Sequence, residues 1–84
     1  MINEPITGSD VSSETSPVES MSDVVIAGEA AGLVFLQVKS PNTTEWVNIT
    51  NQSGAYVVMT PDPTLLYRFR ASKLLLPVQV HFGP

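Results

Sequence analysis

Between Val24 and Phe82 no stretch of this chain sustains a helical repeat. Short apolar runs instead alternate with clusters of turn-forming residues. The runs are Val24 to Ala27, Leu33 to Lys39, Glu45 to Thr50, Ala55 to Thr60, Leu65 to Ala71 and Leu76 to Phe82. Their separators carry the residues that backbone chemistry places in turns: Gly28 to Gly32, Ser40-Pro41-Asn42-Thr43, Asn51-Gln52-Ser53-Gly54 and Pro61-Asp62-Pro63. Short strands at this regular spacing predict an all-β fold, an antiparallel sandwich or barrel of about six strands over residues 24–84.

Alternation within the runs assigns their faces. In Leu65 to Ala71 the odd-numbered residues Leu65, Tyr67, Phe69 and Ala71 share one side, and Arg68 and Arg70 share the other. Two arginines do not enter so small a core, so Tyr67 and Phe69 are expected inside. The same reasoning turns Val78, Val80 and Phe82 inward and Gln79 and His81 outward, and sets Val34, Leu36 and Val38 against Phe35, Gln37 and Lys39. The expected core is Val34, Leu36, Tyr67, Phe69, Val78 and Val80. Pro77 has no N–H for a ladder, which predicts that its strand begins there or lies at an edge.

Eighty-four residues hold one small domain. Chains of this size are marginal without a disulfide, a metal or another chain. There is no cysteine and a single histidine, so neither a disulfide nor a Cys/His metal site is expected, and no cofactor is implied. Contact with other protein subunits, or multiple copies of itself, is the remaining support.

Residues 1–23 differ from the body. They hold Glu4, Asp10, Glu14, Glu19 and Asp23 with no Lys or Arg, although the whole chain has a formal charge of only -4. They are rich in Ser, Thr and Pro and contain no aromatic residue, the composition of a segment that does not fold alone. The expectation is an extended, polar and acidic N-terminal arm, with Ile2, Ile6, Val11 and Val18 entering pockets on a partner and the body folding without it. This stretch lacks the positive region and apolar run of a secretory signal, and no run approaches the ~20 residues of a membrane span. No membrane partner is expected.

No catalytic set is apparent. His81 has no carboxylate near it in sequence, the acids of the body (Glu29, Glu45 and Asp62) sit beside turns or strand starts, and neither GxxxxGK[ST] nor GxGxxG occurs. The chain is read as a non-enzyme. Arg68 and Arg70 share a strand face that Lys73 and His81 are expected to join, a surface suited to an acidic partner. The body is close to neutral and its aromatics are claimed by the core, which argues against nucleic acid. Trp46 is assigned to the core; an exposed Trp46 or Tyr56 would favour a carbohydrate-binding or adhesion module. Asn42, Asn48 and Asn51 begin N-glycosylation triplets that are attributed to chance in an Asn/Thr-rich region.

The succession LVFLQVKSPNTTEWVNIT, SGAYVVMTPDP, LLYRFRA and LPVQVHFGP resembles an immunoglobulin-like or fibronectin-III-like module, with Trp46 on one strand and Tyr67 to Ala71 forming a later one. It departs from that pattern in having no cysteine pair. A compact β module joined to an extended arm, without catalytic residues, resembles small bacteriophage virion accessory proteins of the head decoration or cement type. That resemblance implies a structural protein of the virion, made in the host cytoplasm, that binds the major capsid protein through the arm and through Arg68, Arg70 and His81. A tail or neck component has the same sequence character.

Overall fold

The computed structural model describes the chain except for residues 18–20, 29–31 and 52–54, and gives the backbone alone for 50, 51 and 55–57. It is all-β. The strands are β1 (Ile2–Gly8), β2 (Ser22–Ala27), β3 (Leu33–Lys39), β4 (Val47–Asn51), β5 (Ala55–Met59), β6 (Leu66–Ser72) and β7 (Leu74–Gly83). They form two antiparallel sheets, ordered β1-β7-β2-β5 and β4-β3-β6. The antiparallel sandwich expected from the turn spacing is therefore the fold, with seven strands rather than about six.

The extra strand corrects the reading of the N-terminal segment. Ile2 and Ile6 share one face of the strand with Glu4 between them, and both enter the core of their own chain, 0% and 4% exposed. β1 runs antiparallel to β7 with Ile2 opposite Phe82 and Ile6 opposite Val78. The chain then turns at Gly8, whose φ of 61° suits a residue without Cβ. Residues 10–15 return along β6 in the other sheet: the N–H groups of Ser12 and Thr15 donate to the carbonyls of Phe69 and Tyr67, and that of Ala71 donates to the carbonyl of Asp10. The Ser12 hydroxyl, buried, accepts the N–H of Phe69 at 2.8 Å. Residues 1–15 thus follow residues 67–82 through both layers. Glu4 braces the two limbs by accepting from the hydroxyl and N–H of Ser13, and the terminal ammonium donates to the Thr15 hydroxyl at 3.0 Å.

The rest of the chain repeats this device. β2 and β3, β4 and β5, and β6 and β7 each place successive strands in opposite sheets. The sandwich is a row of four such arches: the 1–15 arch, then β6/β7, β2/β3 and β4/β5. In an immunoglobulin constant domain the last strand belongs to the three-stranded sheet; here β7 lies between β1 and β2 in the four-stranded one. One local contact is shared with such domains, because the Tyr67 hydroxyl accepts the backbone N–H of Asp62 at 2.9 Å just before the strand. Asp62 in turn accepts from the N–H and hydroxyl of Thr64, and these bonds hold its carboxyl below the usual range. A lowered carboxyl favours the folded chain above the ordinary carboxylate range, and the advantage fades as the pH falls through the folded value.

Val34, Leu36, Tyr67, Phe69, Val78 and Val80 are all buried, none more than 3% exposed, as the alternation requires. Ile2, Ile6, Val24, Ile26, Ala71, Leu74 and Phe82 complete the cluster among the described residues, and the Tyr67 and Phe82 rings stack across the layers at 4.9 Å. Pro77 departs from expectation, since its strand begins at Leu74 and is interior to the sheet. The position is tolerated because Leu75, Leu76 and Pro77 have no ladder partner: pairing with β1 passes from Leu74 to Val78, and pairing with β2 begins at Gln79. Where β6 turns into β7, Lys73 adopts a φ of 58° and Gly32 packs so closely that a Cβ there would lie 2.6 Å from the Lys73 carbonyl oxygen.

Replacing Ile2 or Ile6 by Ala is expected to cost about 2–5 kcal/mol each in urea unfolding. That is a large share of what a chain this size retains. A midpoint shift no larger than that of Val11→Ala, at an exposed site, would return β1 to the status of a dispensable arm. Gly32→Ala is expected to destabilise measurably through contact with backbone that does not move aside, whereas Lys73→Gly is expected to gain up to about 1 kcal/mol by relieving a left-handed residue. Equal effects of the two substitutions on the thermal midpoint would contradict this corner geometry.

Candidate functional site

The outer face of the three-stranded sheet carries Lys39, Arg68 and Arg70, three of the chain's four Lys and Arg residues, together with Trp46. Strand alternation puts Phe35, Gln37 and Lys39 of β3 outward, and Arg68 and Arg70 of β6 outward beside them. The antiparallel register then sets Arg68 opposite Gln37 and Arg70 opposite Phe35, while Gln37 also faces Asn48 of β4. Trp46, immediately before β4, lies on this same face.

These residues hold one another in place. The Arg68 guanidinium sits over the Trp46 ring, 4.1 Å from its centroid, and the Lys39 ammonium lies 5.6 Å from it. Arg68 Nε donates to Gln37 Oε1 at 2.8 Å, and Gln37 Nε2 donates to Asn48 Oδ1 at 2.9 Å. Gln37 is thereby buried to 6% exposure on what is formally the solvent side of the sheet. A planar guanidinium stacked on an indole and tied at Nε loses little rotamer freedom when its outer nitrogens meet a ligand. Burial, then the neighbouring Arg70, push the Arg68 pKa down, with Glu14 opposing. The two arginines repel each other. Among the described residues neither Arg68 nor Arg70 forms an ion pair.

The expected partner-binding residues do not stay together. Arg68 and Arg70 come together as the alternation requires. His81 does not join them, because it lies on β7 of the other sheet between Asn3 and Val25, with Nε2 3.3 Å from the Gly83 carbonyl oxygen. Lys73 sits at the corner between the sheets. Ile2 and Ile6 are in the core and cannot reach a partner. Val11 is exposed, on the segment that pairs with Arg70 through the backbone, and Val18 lies outside the described residues. Trp46, Gln37, Lys39 and Asn48 were not anticipated as a group. Outward alternation of Gln37 and Lys39 was the available signal, but the register that brings them to Arg68 is a tertiary fact.

Trp46 is accordingly not a core residue, and Tyr56 has no described side chain. A sugar platform needs a bare ring face, and Arg68 covers one face of this indole. Among the described residues no group of His, Cys, Asp and Glu is placed to hold a metal ion, and no helix is long and apolar enough to cross a membrane. A groove of about 500 Å³ lined by Glu4, Pro5, Ile6, Thr7, Asp10, Val11 and Pro77 runs beside β1. Its polar side chains are Glu4, Asp10 and Thr7, with no histidine, lysine or arginine in the lining. Comparison with protein families, with characterised proteins and with solved structures finds no match to this chain.

Arg68→Lys keeps the charge but removes both the Nε donor and the flat stack. It is expected to cost about 1 kcal/mol of stability and to alter the emission of Trp46, which as the single tryptophan reports this cluster alone. Unchanged emission and an unchanged unfolding midpoint would show that the cluster does not hold in solution.

Proposed function

We propose that this chain is a non-enzymatic structural component of a larger protein assembly, in the manner of bacteriophage head decoration or cement proteins, and that it docks on an acidic surface of its protein partner through Arg68 and Arg70. The observation that carries this reading is a pair of cations, one of them fixed by Trp46 and Gln37, presented on a sheet face where neither forms an ion pair among the described residues, although Glu14 acts on Arg68 from a distance. Unpaired, pre-oriented arginines suit the desolvated centre of a protein interface. A duplex or long single strand fits less well, because Glu14 lies close enough to act on Arg68 and the 1–15 arch beside it adds Glu4 and Asp10. The docking surface thus moves from the N-terminal segment, whose isoleucines are spent on folding, to the body of the sandwich.

The test is to purify virus particles from the source culture, identify this chain by mass spectrometry, and measure rebinding of recombinant chain to particles stripped of it. Binding is expected to saturate at a fixed number of copies, to weaken with salt, and to fall at least about tenfold for the charge-reversed Arg68→Glu/Arg70→Glu chain, whose fold is checked by circular dichroism. Absence of the chain from the particles would overturn the assembly reading. Undiminished binding of the double variant would overturn the assigned surface.

A further inference from the structure

The two ends of the row of arches are unlike. At one end the outermost strands are β1 and residues 10–15, which carry the devices that discourage strand addition: Pro5, Glu4, Asp10 and Glu14. Pro5 faces Gln79 in the ladder and has no N–H to offer an incoming strand. At the other end the outermost strands are β4 and β5, VNITN and AYVVM, with no charged residue and no proline. Val47, Ile49 and Val58 on these strands are 61%, 47% and 46% exposed. Among the described residues nothing covers this edge in either sheet.

From this asymmetry we propose that the chain forms a two-fold symmetric dimer in which β5 pairs with β5 and β4 with β4 of a second copy, continuing both sheets across the contact. The occupant is a second copy for three reasons. A two-fold axis normal to the sheets makes each new pair antiparallel, as every pair in the sandwich already is. A self-contact brings each residue near its own duplicate, which a chain of net charge -4 tolerates only where the contact strands are uncharged, and these two are. The opposite edge is guarded, so addition stops at two copies rather than growing a fibre. Two layers of five-residue strands make a small interface, so the dimer is reversible rather than permanent. This inference goes beyond the docking function and does not depend on it.

Sedimentation velocity of the full chain over protein concentrations from about 1 μM to about 1 mM is expected to show a monomer–dimer equilibrium with no larger species and little dependence on salt. Ile49→Lys and Val58→Lys, each placing a charge on the contact strands, are expected to shift the midpoint of that equilibrium at least about tenfold toward monomer. Leu75→Lys, at the exposed corner away from this edge, is expected to leave it in place. Should the lysine variants misfold, amide exchange of the wild-type chain decides: the free-edge N–H groups of β4 and β5 slow with rising concentration, and those of β1 do not. A monomer at every concentration overturns the proposal, as do oligomers larger than two, a dimer unaffected by both lysine substitutions, or exchange that does not depend on concentration. Loss of particle binding with the dimer intact, or the reverse, separates this contact from the docking surface.

Discussion

Residues 1–15 run beside residues 67–82 through both sheets, and the rest of the molecule depends on that pairing. Without it β7 and β6 would each present a bare edge, Ile2 and Ile6 would leave a core that holds thirteen buried apolar residues among those described, and the Tyr67–Phe82 stack would face water from one side. The contact joins the two ends of the chain, so its loop-closure entropy must be overcome before its hydrogen bonds and burial repay it. It also explains how a polar segment with no aromatic residue is ordered. Two isoleucines on one face of the strand, a backbone ladder and the Ser12 hydroxyl supply what composition alone does not offer.

The arch architecture divides the labour between core and surface. Because each strand pair spans both layers, inward positions are consumed by packing, and no wide cleft opens between the sheets. Recognition is left to outer faces and strand edges. The two outer faces differ: Arg68, Arg70, Lys39 and Trp46 mark the three-stranded sheet, while β7 and β1 give the other sheet Gln79, His81 and Asn3, with Gln79 donating to Asn3 across the pair at 2.8 Å. Glu14, on the 10–15 segment beside β6, is the acid that acts on Arg68 at the margin of the basic face.

Much of this was legible from residue order alone. The period-two alternation of Tyr67, Phe69 and Ala71 against Arg68 and Arg70 set both the core and the cationic face, and Pro/Asn/Gly clusters marked the turns. Two kinds of information were not legible. Composition conceals β1 in residues 1–23 because Ser, Thr and Pro outnumber the apolar residues, and Ile2 and Ile6, four apart with Glu4 between them, do not by themselves distinguish a strand from a turn of helix. Sheet order was hidden as well. His81 and Arg68 both point outward, but that they point away from each other follows from the Lys73 corner, where the chain changes sheets within one residue. Trp46 was misassigned because a large aromatic in a small domain is normally core, and the cation that covers it comes from a strand more than twenty residues away in sequence.

The same corner bears on what the exposed leucines mean. Leu75 and Leu76 follow Lys73 on a stretch that pairs with neither neighbour, so their exposure is the cost of leading β7 from one sheet into the other past a proline. An apolar side chain exposed for a reason of chain path is weak evidence of a partner. Val47 and Val58 have no such excuse, because each is paired with a neighbouring strand on one side only, whereas Ile49 is the residue passed over where the β3–β4 register shifts. A small sandwich that places proline and carboxylates on one edge and uncharged strands on the other is built to be extended in one direction, and the residues that limit that extension are those of the segment least able to fold by itself.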